Sequence, residues 1–159
     1  HTLGWSARQL HGRFPFESGS YDQLASLKAA GYLEMADDAS PTAHPRPDQT
    51  ASPEALARAY LHVNCAPCHQ PGGGANASMD LRAFTSLADA RVCGETPQQG
   101  DLNIANARLI DPGRAERSVL LQRMNRRDEE GMPSLGSTRV DDVGVSVIRQ
   151  WIDAMDGCP

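Results

Sequence analysis

Two cysteines and a histidine lie close together in the run Cys65-Ala66-Pro67-Cys68-His69. A pair of cysteines spaced in this way and followed at once by histidine is the attachment pattern of haem c. Each thiol can add to one vinyl group of the porphyrin, and the imidazole can then bind the iron as its proximal ligand. The pattern therefore predicts one covalent haem c that is held by Cys65 and Cys68, with His69 as a metal ligand.

The same cysteine pair has two weaker interpretations, a thioredoxin-like thiol centre and a structural zinc site. A thiol centre follows a strand in a βαβ unit, whereas the residues before Cys65 have helical character. Ser52 is a good N-cap, Pro53 suits the first helical turn, and apolar residues then recur at helical spacing. A zinc site would need Cys93 and Cys158 as further ligands, and these two do not form a second close pair.

An iron that only carries electrons needs a sixth ligand, and Met132 is the best candidate because His/Met ligation is usual in electron-carrying cytochromes c. Met132 lies in a loop of glycine and proline residues, 131–136, just before a predicted C-terminal helix. The chain between His69 and Met132 is long enough to reach the other face of the haem. We also expect the second ring nitrogen of His69 to donate to a carbonyl in the turn 70–72. The weaker candidates for the sixth ligand are Met79, Met124, Met155 and His44.

Helical patterns dominate the rest of this part of the chain. The segment from Asp141 to Met155 places its apolar residues on one face, with Asp141 as N-cap. A middle helix is predicted over about Ala115 to Arg126, and a shorter helix over Thr85 to Val92. Because no stretch alternates with period two, no sheet is expected. The residues therefore predict an all-α protein.

Taken together, these motifs resemble bacterial class I-type cytochrome c domains over about residues 52–156. Among such domains, this chain looks most like those at the C-terminal end of larger secreted or periplasmic proteins, including some quinoprotein dehydrogenases. The resemblance implies a cytochrome c fold, a small helical bundle around one haem, in which the helix before the attachment motif crosses the C-terminal helix. It also implies an exposed haem edge that exchanges electrons with partners. The matching stretches are Tyr60 to Gly73, Met79 to Arg82, Asp111 to Gly113, Ser118 to Leu120, Met132 to Gly136 and Trp151-Ile152.

The resemblance further implies a periplasmic or extracellular location, because bacteria attach haem c outside the cytoplasm. Cys93 and Cys158 fit such a compartment, in which disulfides persist, and we expect these two residues to form a disulfide. No run approaches the ~20 apolar residues of a membrane span. No signal peptide is visible and the chain starts at His1, as expected of a processed or excised piece.

Residues 1–50 differ in character from the cytochrome c domain that we predict over 52–159. A helical pattern from Gln23, ending near Gly31, precedes a stretch rich in proline. This N-terminal extension and linker is either the tail of a preceding domain or a segment that wraps on the cytochrome core. The aromatic residues of the extension favour wrapping.

The charge balance excludes some kinds of partner. The net charge is −5 and Lys28 is the single lysine, so a lysine-ringed docking face is excluded and no basic patch supports nucleic-acid binding. The acidic run Asp128-Glu129-Glu130 is either an ordinary solvated surface or an acidic rim that steers a basic partner. The arginines that are candidates for pairing with haem propionates are Arg82, Arg114, Arg117, Arg123, Arg126 and Arg127.

The predicted function is single-electron transfer to a redox partner protein or within a fused dehydrogenase. The domain itself is not expected to be an enzyme, although it can be part of a larger redox enzyme. The alternative is a haem enzyme, or a gas or peroxide sensor, in which Met132 leaves the iron open. The sequence offers no distal histidine or arginine arrangement for that chemistry.

Overall fold

The computed structural model describes residues 5–34, 42–46 and 50–159. The chain divides into two compact units, and the boundary in the sequence lies between Pro45 and Arg46. Two prolines of the predicted linker, Pro41 and Pro47, lie outside the described residues. Among the described residues, no helix combines the length and the apolar character that crossing a bilayer requires.

The described part of the N-terminal unit contains two short helices and a hairpin: α1 (Ala7–Leu10), β1 (Arg13–Phe16), β2 (Gly19–Asp22) and α2 (Gln23–Ala29). The two strands are antiparallel. The Asp22 carboxylate caps α2 by accepting from the Ala25 N–H at 2.8 Å. The helix ends before Gly31, whose φ of +75° favours glycine, and this agrees with the helical pattern of the sequence.

The hairpin makes the all-α prediction wrong. Helices account for only 30% of the described residues, and strands together with isolated bridges account for 8%, so the architecture is a small α/β protein and not an all-helical bundle. Both strands are only four residues long and mostly exposed, and for that reason no alternation of apolar and polar residues marks them. Pro15 also argues against a strand. It is tolerated here because both strands of a two-stranded sheet are edges.

Within the described residues of the C-terminal unit, three α-helices are joined by long connections. The helices are α3 (Pro53–Asn64), α4 (Val119–Met124) and α5 (Asp142–Asp153). The two predicted caps are confirmed, because Ser52 accepts from Ala55 N–H at 3.2 Å and Asp141 accepts from Gly144 N–H at 3.0 Å.

Two of the predicted helices in this unit form differently. The segment from Ala115 divides into a 3-10 turn, Ala115–Arg117, and α4, because Ser118 between them has an extended backbone. The Ser118 hydroxyl accepts from the Asp111 N–H at 2.9 Å instead of supporting a continuous helix. Residues 85–92 form turns and no helix. There the Ser86 hydroxyl accepts from the Asp89 N–H and the Ser86 carbonyl accepts from the Ala90 N–H, in a single capped turn that does not continue as a helix.

The α3 helix packs against α5, and the resemblance implied that these two helices would be in contact. Gly144 of α5 lies against the Tyr60 ring of α3, and a Cβ at Gly144 would overlap that ring. The Tyr60 hydroxyl donates to the Asp141 carboxylate at 3.0 Å. Burial, together with this hydrogen bond, raises the pKa of Tyr60. The largest fully buried apolar residues are Leu61, Ile110, Leu121, Ile148 and Ile152.

The predicted disulfide between Cys93 and Cys158 is confirmed. The bond joins residues that are 65 positions apart, with a Cα–Cα distance of 5.6 Å. Closing a loop of this length stabilises the fold by about 4 kcal/mol in the chain-entropy model. The bond ties the middle of the unit to the end of the chain that follows α5.

Candidate functional site

The predicted attachment residues lie in one tight turn at the end of α3, residues 65–69, which we call the attachment turn. Cys65 caps the helix, and its N–H donates to the Leu61 carbonyl at 2.9 Å. The Cys65 carbonyl then accepts from the N–H groups of both Cys68 and His69, at 3.1 and 2.9 Å. Two thiols and one imidazole are therefore carried by a single hydrogen-bonded turn whose start is set by α3.

Both thiols in this turn are free. Cys68 is exposed, whereas Cys65 packs against the hydrophobic core. Burial raises the pKa of Cys65 to about 12, and the neighbouring Cys68 adds to the shift. A thioredoxin-like centre needs a lowered pKa, so that the attacking sulfur is a thiolate at neutral pH. The helical lead-in and the raised pKa both argue against that interpretation.

A zinc site built from the four cysteines is excluded, because Cys93 and Cys158 are bonded to each other. Over the ranges that the structure describes, no group of three or more His, Cys, Asp or Glu side chains is arranged to hold a metal ion. Haem iron needs fewer protein ligands than such an ion, because the porphyrin supplies most of its ligands.

One ring nitrogen of His69 is buried. Its Nδ1 is buried and has no hydrogen-bond partner within the described parts of the chain, so the expected bond to the turn 70–72 is not present. Burial also lowers the pKa of His69, which favours the neutral imidazole that binds metals. An unsatisfied buried nitrogen costs about 1–3 kcal/mol.

The chain after His69 folds back on the turn. The Ala75 N–H donates to the Cys68 carbonyl at 3.2 Å, and the Gly73 N–H donates to the Gln70 carbonyl at 2.8 Å. Gly73 lies so close to Cys68 that a Cβ there would collide with the Cys68 carbonyl oxygen. This close approach explains the need for glycine at position 73.

Two side chains of α3 hold the next segment, residues 80–85, and sequence reasoning missed this contact. The Arg58 guanidinium donates through Nη2 to the carbonyls of residues 82, 83 and 85, at 3.3 Å for the first two. His62 Nδ1 accepts from the Ala83 N–H at 3.3 Å. The spacing of Arg58 and His62 places both on one face of α3, which was the available signal. The held segment contacts the attachment turn, because the Leu81 N–H donates to the His69 carbonyl at 2.9 Å.

Asp80 begins this segment as a buried carboxylate with a full set of donors. Arg82 donates to it through its backbone N–H, Nε and Nη2, and the Thr85 hydroxyl adds a bond at 2.9 Å. These hydrogen bonds, those from Arg82 above all, lower the pKa of Asp80 to about 2 from an ordinary value of 3.8. The carboxylate therefore stabilises the fold in its ionised form.

We expect this carboxylate to give the protein a measurable sensitivity to acid. The stabilisation is fully present above pH 3.8 and is lost as the pH falls through about 2. A shift of this size corresponds to about 2 kcal/mol of unfolding free energy. Urea unfolding between pH 5 and pH 2 should therefore show that Asp80→Asn lowers stability at pH 5 and flattens the acid slope. The control is Asp156→Asn at an exposed carboxylate. An acid slope in Asp80→Asn as steep as in the unmodified chain would contradict the expectation.

Met132 lies in a different loop from the attachment turn. Its N–H donates to the Arg123 carbonyl at 2.8 Å, and its carbonyl accepts from Arg127 Nη1 at 3.0 Å. The residue is half-buried. Within the described ranges, no hydrogen bond joins Met132 to residues 65–69. Of the four predicted site residues, Cys65, Cys68 and His69 therefore share one turn. Met132 is instead bound to residues at the end of α4.

The arginines predicted to pair with haem propionates already have partners in the protein. Arg82 pairs with Asp80, Arg114 and Arg117 pair with Asp111, and Arg127 binds backbone carbonyls. The remaining two neutralise much of the acidic run, because Arg126 pairs with Asp128 and Arg123 pairs with Glu130, each at 2.6 Å. The run is therefore only weakly acidic, which favours the interpretation as an ordinary surface.

Comparison of the chain with protein-family models, with curated proteins and with solved structures found no match. The functional assignment therefore rests on the residues of the attachment turn and on the contacts around them.

Proposed function

We propose that this chain binds one haem c covalently and transfers single electrons. The observation that carries the proposal is the turn after α3, in which the Cys65 carbonyl accepts from the N–H groups of both Cys68 and His69. In this order and spacing, the three residues are the attachment pattern of haem c. The packing of α3 against α5 adds support, because the resemblance to cytochrome c domains implies contact between these two helices.

The side chains in the turn fit the proposed cofactor. Cys65 and Cys68 are free, so both sulfurs are available to hold the porphyrin through thioethers. Burial favours the neutral form of His69, which is the form of imidazole that binds iron. The thioether sulfur of Met132 would be the second protein ligand of the iron. When bound, haem supplies an iron that changes its oxidation state by one electron.

The residues favour an electron carrier over an enzyme or sensor. Met132 is the proposed second axial ligand, and methionine ligation raises the reduction potential. A potential of that kind suits a late position in a respiratory or dehydrogenase chain. The proposed partner is a redox protein or a fused dehydrogenase domain. The proposed location is periplasmic or extracellular, and the Cys93–Cys158 disulfide supports an oxidising compartment.

The first experiment is an optical spectrum of the protein after expression with a bacterial haem-attachment system. We expect the reduced protein to show the α-band of a c-type haem that remains with the chain after acid–acetone extraction. We also expect the oxidised protein to show the weak near-infrared band of ferric iron with a methionine sulfur ligand.

The two features test different parts of the proposal. A c-type α-band without the near-infrared band would reject Met132 as the ligand and favour the open-iron enzyme or sensor. Protein that is folded and free of haem would reject the proposed function as a whole. The Met132→Ala variant should lose the near-infrared band and keep the covalent haem, whereas Met155→Ala should keep both.

A further inference from the structure

We propose that Arg127 is a positioning residue, which holds the loop of Met132 in the place from which its sulfur can bind iron. This inference rests on the proposed function and assigns a role to a residue outside the attachment turn. Arg127 lies just after α4 and is not among the described residues that form ion pairs with carboxylates. Its guanidinium binds backbone and hydroxyl oxygens instead.

The contacts of Arg127 span the whole loop. Its Nη1 donates to the carbonyl of Met124 at 2.9 Å, at the end of α4, and to the carbonyl of Met132 at 3.0 Å. Its Nε donates to the Ser137 hydroxyl and to the Arg139 carbonyl, both at 3.0 Å. One planar cation therefore connects a helix end, the proposed ligand and the far end of the loop.

The loop has little else to hold it. Within the described part of the chain, residues 133–139 make no backbone–backbone hydrogen bond. Residues 133–136 are exposed, and Leu135 keeps 77% of its surface accessible. The chain before Met132 has more contacts. The Arg123 guanidinium pairs with Glu130, and the Arg123 carbonyl accepts from the Met132 N–H. Arg127 is therefore the main connection on the C-terminal side of the proposed ligand.

Both backbone polar groups of Met132 are fixed by the segment 123–127. Its N–H is held by the Arg123 carbonyl and its carbonyl by the Arg127 side chain. With both groups held, the direction of the methionine side chain is constrained. Removal of the Arg127 contact frees the carbonyl and the following residues, so the sulfur has to be ordered each time it binds iron. We infer that Arg127 lowers the fraction of molecules in which Met132 is dissociated.

The test compares Arg127→Leu with Arg126→Leu in the full chain with haem attached. Arg126 is the adjacent arginine and pairs at the surface with Asp128, so it is a matched control. Added imidazole competes with Met132 for ferric iron. The loss of the near-infrared band with increasing imidazole measures the apparent affinity of imidazole for the iron. We expect that affinity to rise at least about tenfold in Arg127→Leu, the effect of losing one charged hydrogen bond, and to stay unchanged in Arg126→Leu. Arg127→Lys keeps the charge without the planar fork and should not restore the original affinity.

A second readout does not depend on the iron. Hydrogen–deuterium exchange of the purified proteins should become faster at residues 131–139 in Arg127→Leu, with α3 and α5 unchanged. Unchanged imidazole affinity in Arg127→Leu would overturn the inference, and so would full rescue by Arg127→Lys. Faster exchange throughout α3 and α5 would also overturn it, since Arg127 would then be a general stabilising residue. If the purified protein contains no haem, the proposed function fails instead, and the exchange data still report whether Arg127 anchors the loop.

Discussion

The double replacement Cys65→Ala/Cys68→Ala is expected to abolish covalent haem attachment. Each sulfur forms one thioether, so no covalent link is left when both are removed. Cys65→Ala alone and Cys68→Ala alone should each keep one thioether and retain covalent haem in lower yield. Intact mass after acid–acetone extraction measures the covalent fraction, which should fall from nearly all of the protein to none in the double variant.

The control removes the other two cysteines of the chain. Cys93→Ser/Cys158→Ser loses the same number of sulfurs and the disulfide that closes a loop of 65 positions. This variant should be less stable, by about 4 kcal/mol in the chain-entropy model, and should still carry covalent haem wherever it folds. Covalent haem in Cys65→Ala/Cys68→Ala, or its loss only in the disulfide variant, would contradict the assignment of the attachment turn.

The parts of the fold that were predicted correctly depend on local signals. Ser52 and Asp141 cap α3 and α5 as expected, because a capping side chain bonds to a backbone N–H only a few residues away. The α3 and α5 helices are long enough for apolar residues to recur on one face. The hydrogen bonds that close the attachment turn are also local, since Cys68 and His69 donate to the Cys65 carbonyl.

The hairpin was missed because its stability does not come from a pattern along the chain. The strand β1 contains Pro15 and is mostly exposed, so neither composition nor alternation distinguishes it from a loop. The pairing of Phe14 with Tyr21 depends on the other strand, which a single stretch of sequence does not indicate. A prediction of an all-α protein followed from counting only the periodic segments.

The surroundings of the site were also beyond local reasoning. Arg58 reaches carbonyls 24 to 27 positions later in the chain, and Arg123 reaches the Gln99 carbonyl 24 positions earlier. Contacts at such separations depend on tertiary packing. For the same reason, the sequence does not indicate that Asp80 and Asp111 pair with three of the arginines predicted to bind the propionates.

Replacement of Gly73 with alanine is expected to disrupt the attachment turn. A Cβ at position 73 would collide with the Cys68 carbonyl oxygen and would lie 2.9 Å from the Gln70 carbonyl oxygen. Both are backbone atoms of the turn, so they cannot move aside as the end of a flexible side chain can. The loop must shift, and the hydrogen bonds from Gly73 to Gln70 and from Ala75 to Cys68 are lost. We expect the free energy of unfolding to fall by about 3 kcal/mol, the upper part of the range for overpacking.

The adjacent glycine provides a matched control for this prediction. A Cβ at Gly74 meets nothing within 4 Å, and its backbone is not in the left-handed region, so Gly74→Ala should leave stability almost unchanged. Urea unfolding and the ratio of covalent haem to protein measure the two consequences separately. Gly73→Ala should lower both quantities, because a displaced Cys68 presents its thiol in the wrong place. Equal behaviour of the two variants would mean that the close approach of Gly73 to Cys68 does not set the shape of the turn. A loss of stability in Gly73→Ala with full haem attachment would instead mean that the packing of this loop stabilises the fold but does not determine whether Cys68 binds haem.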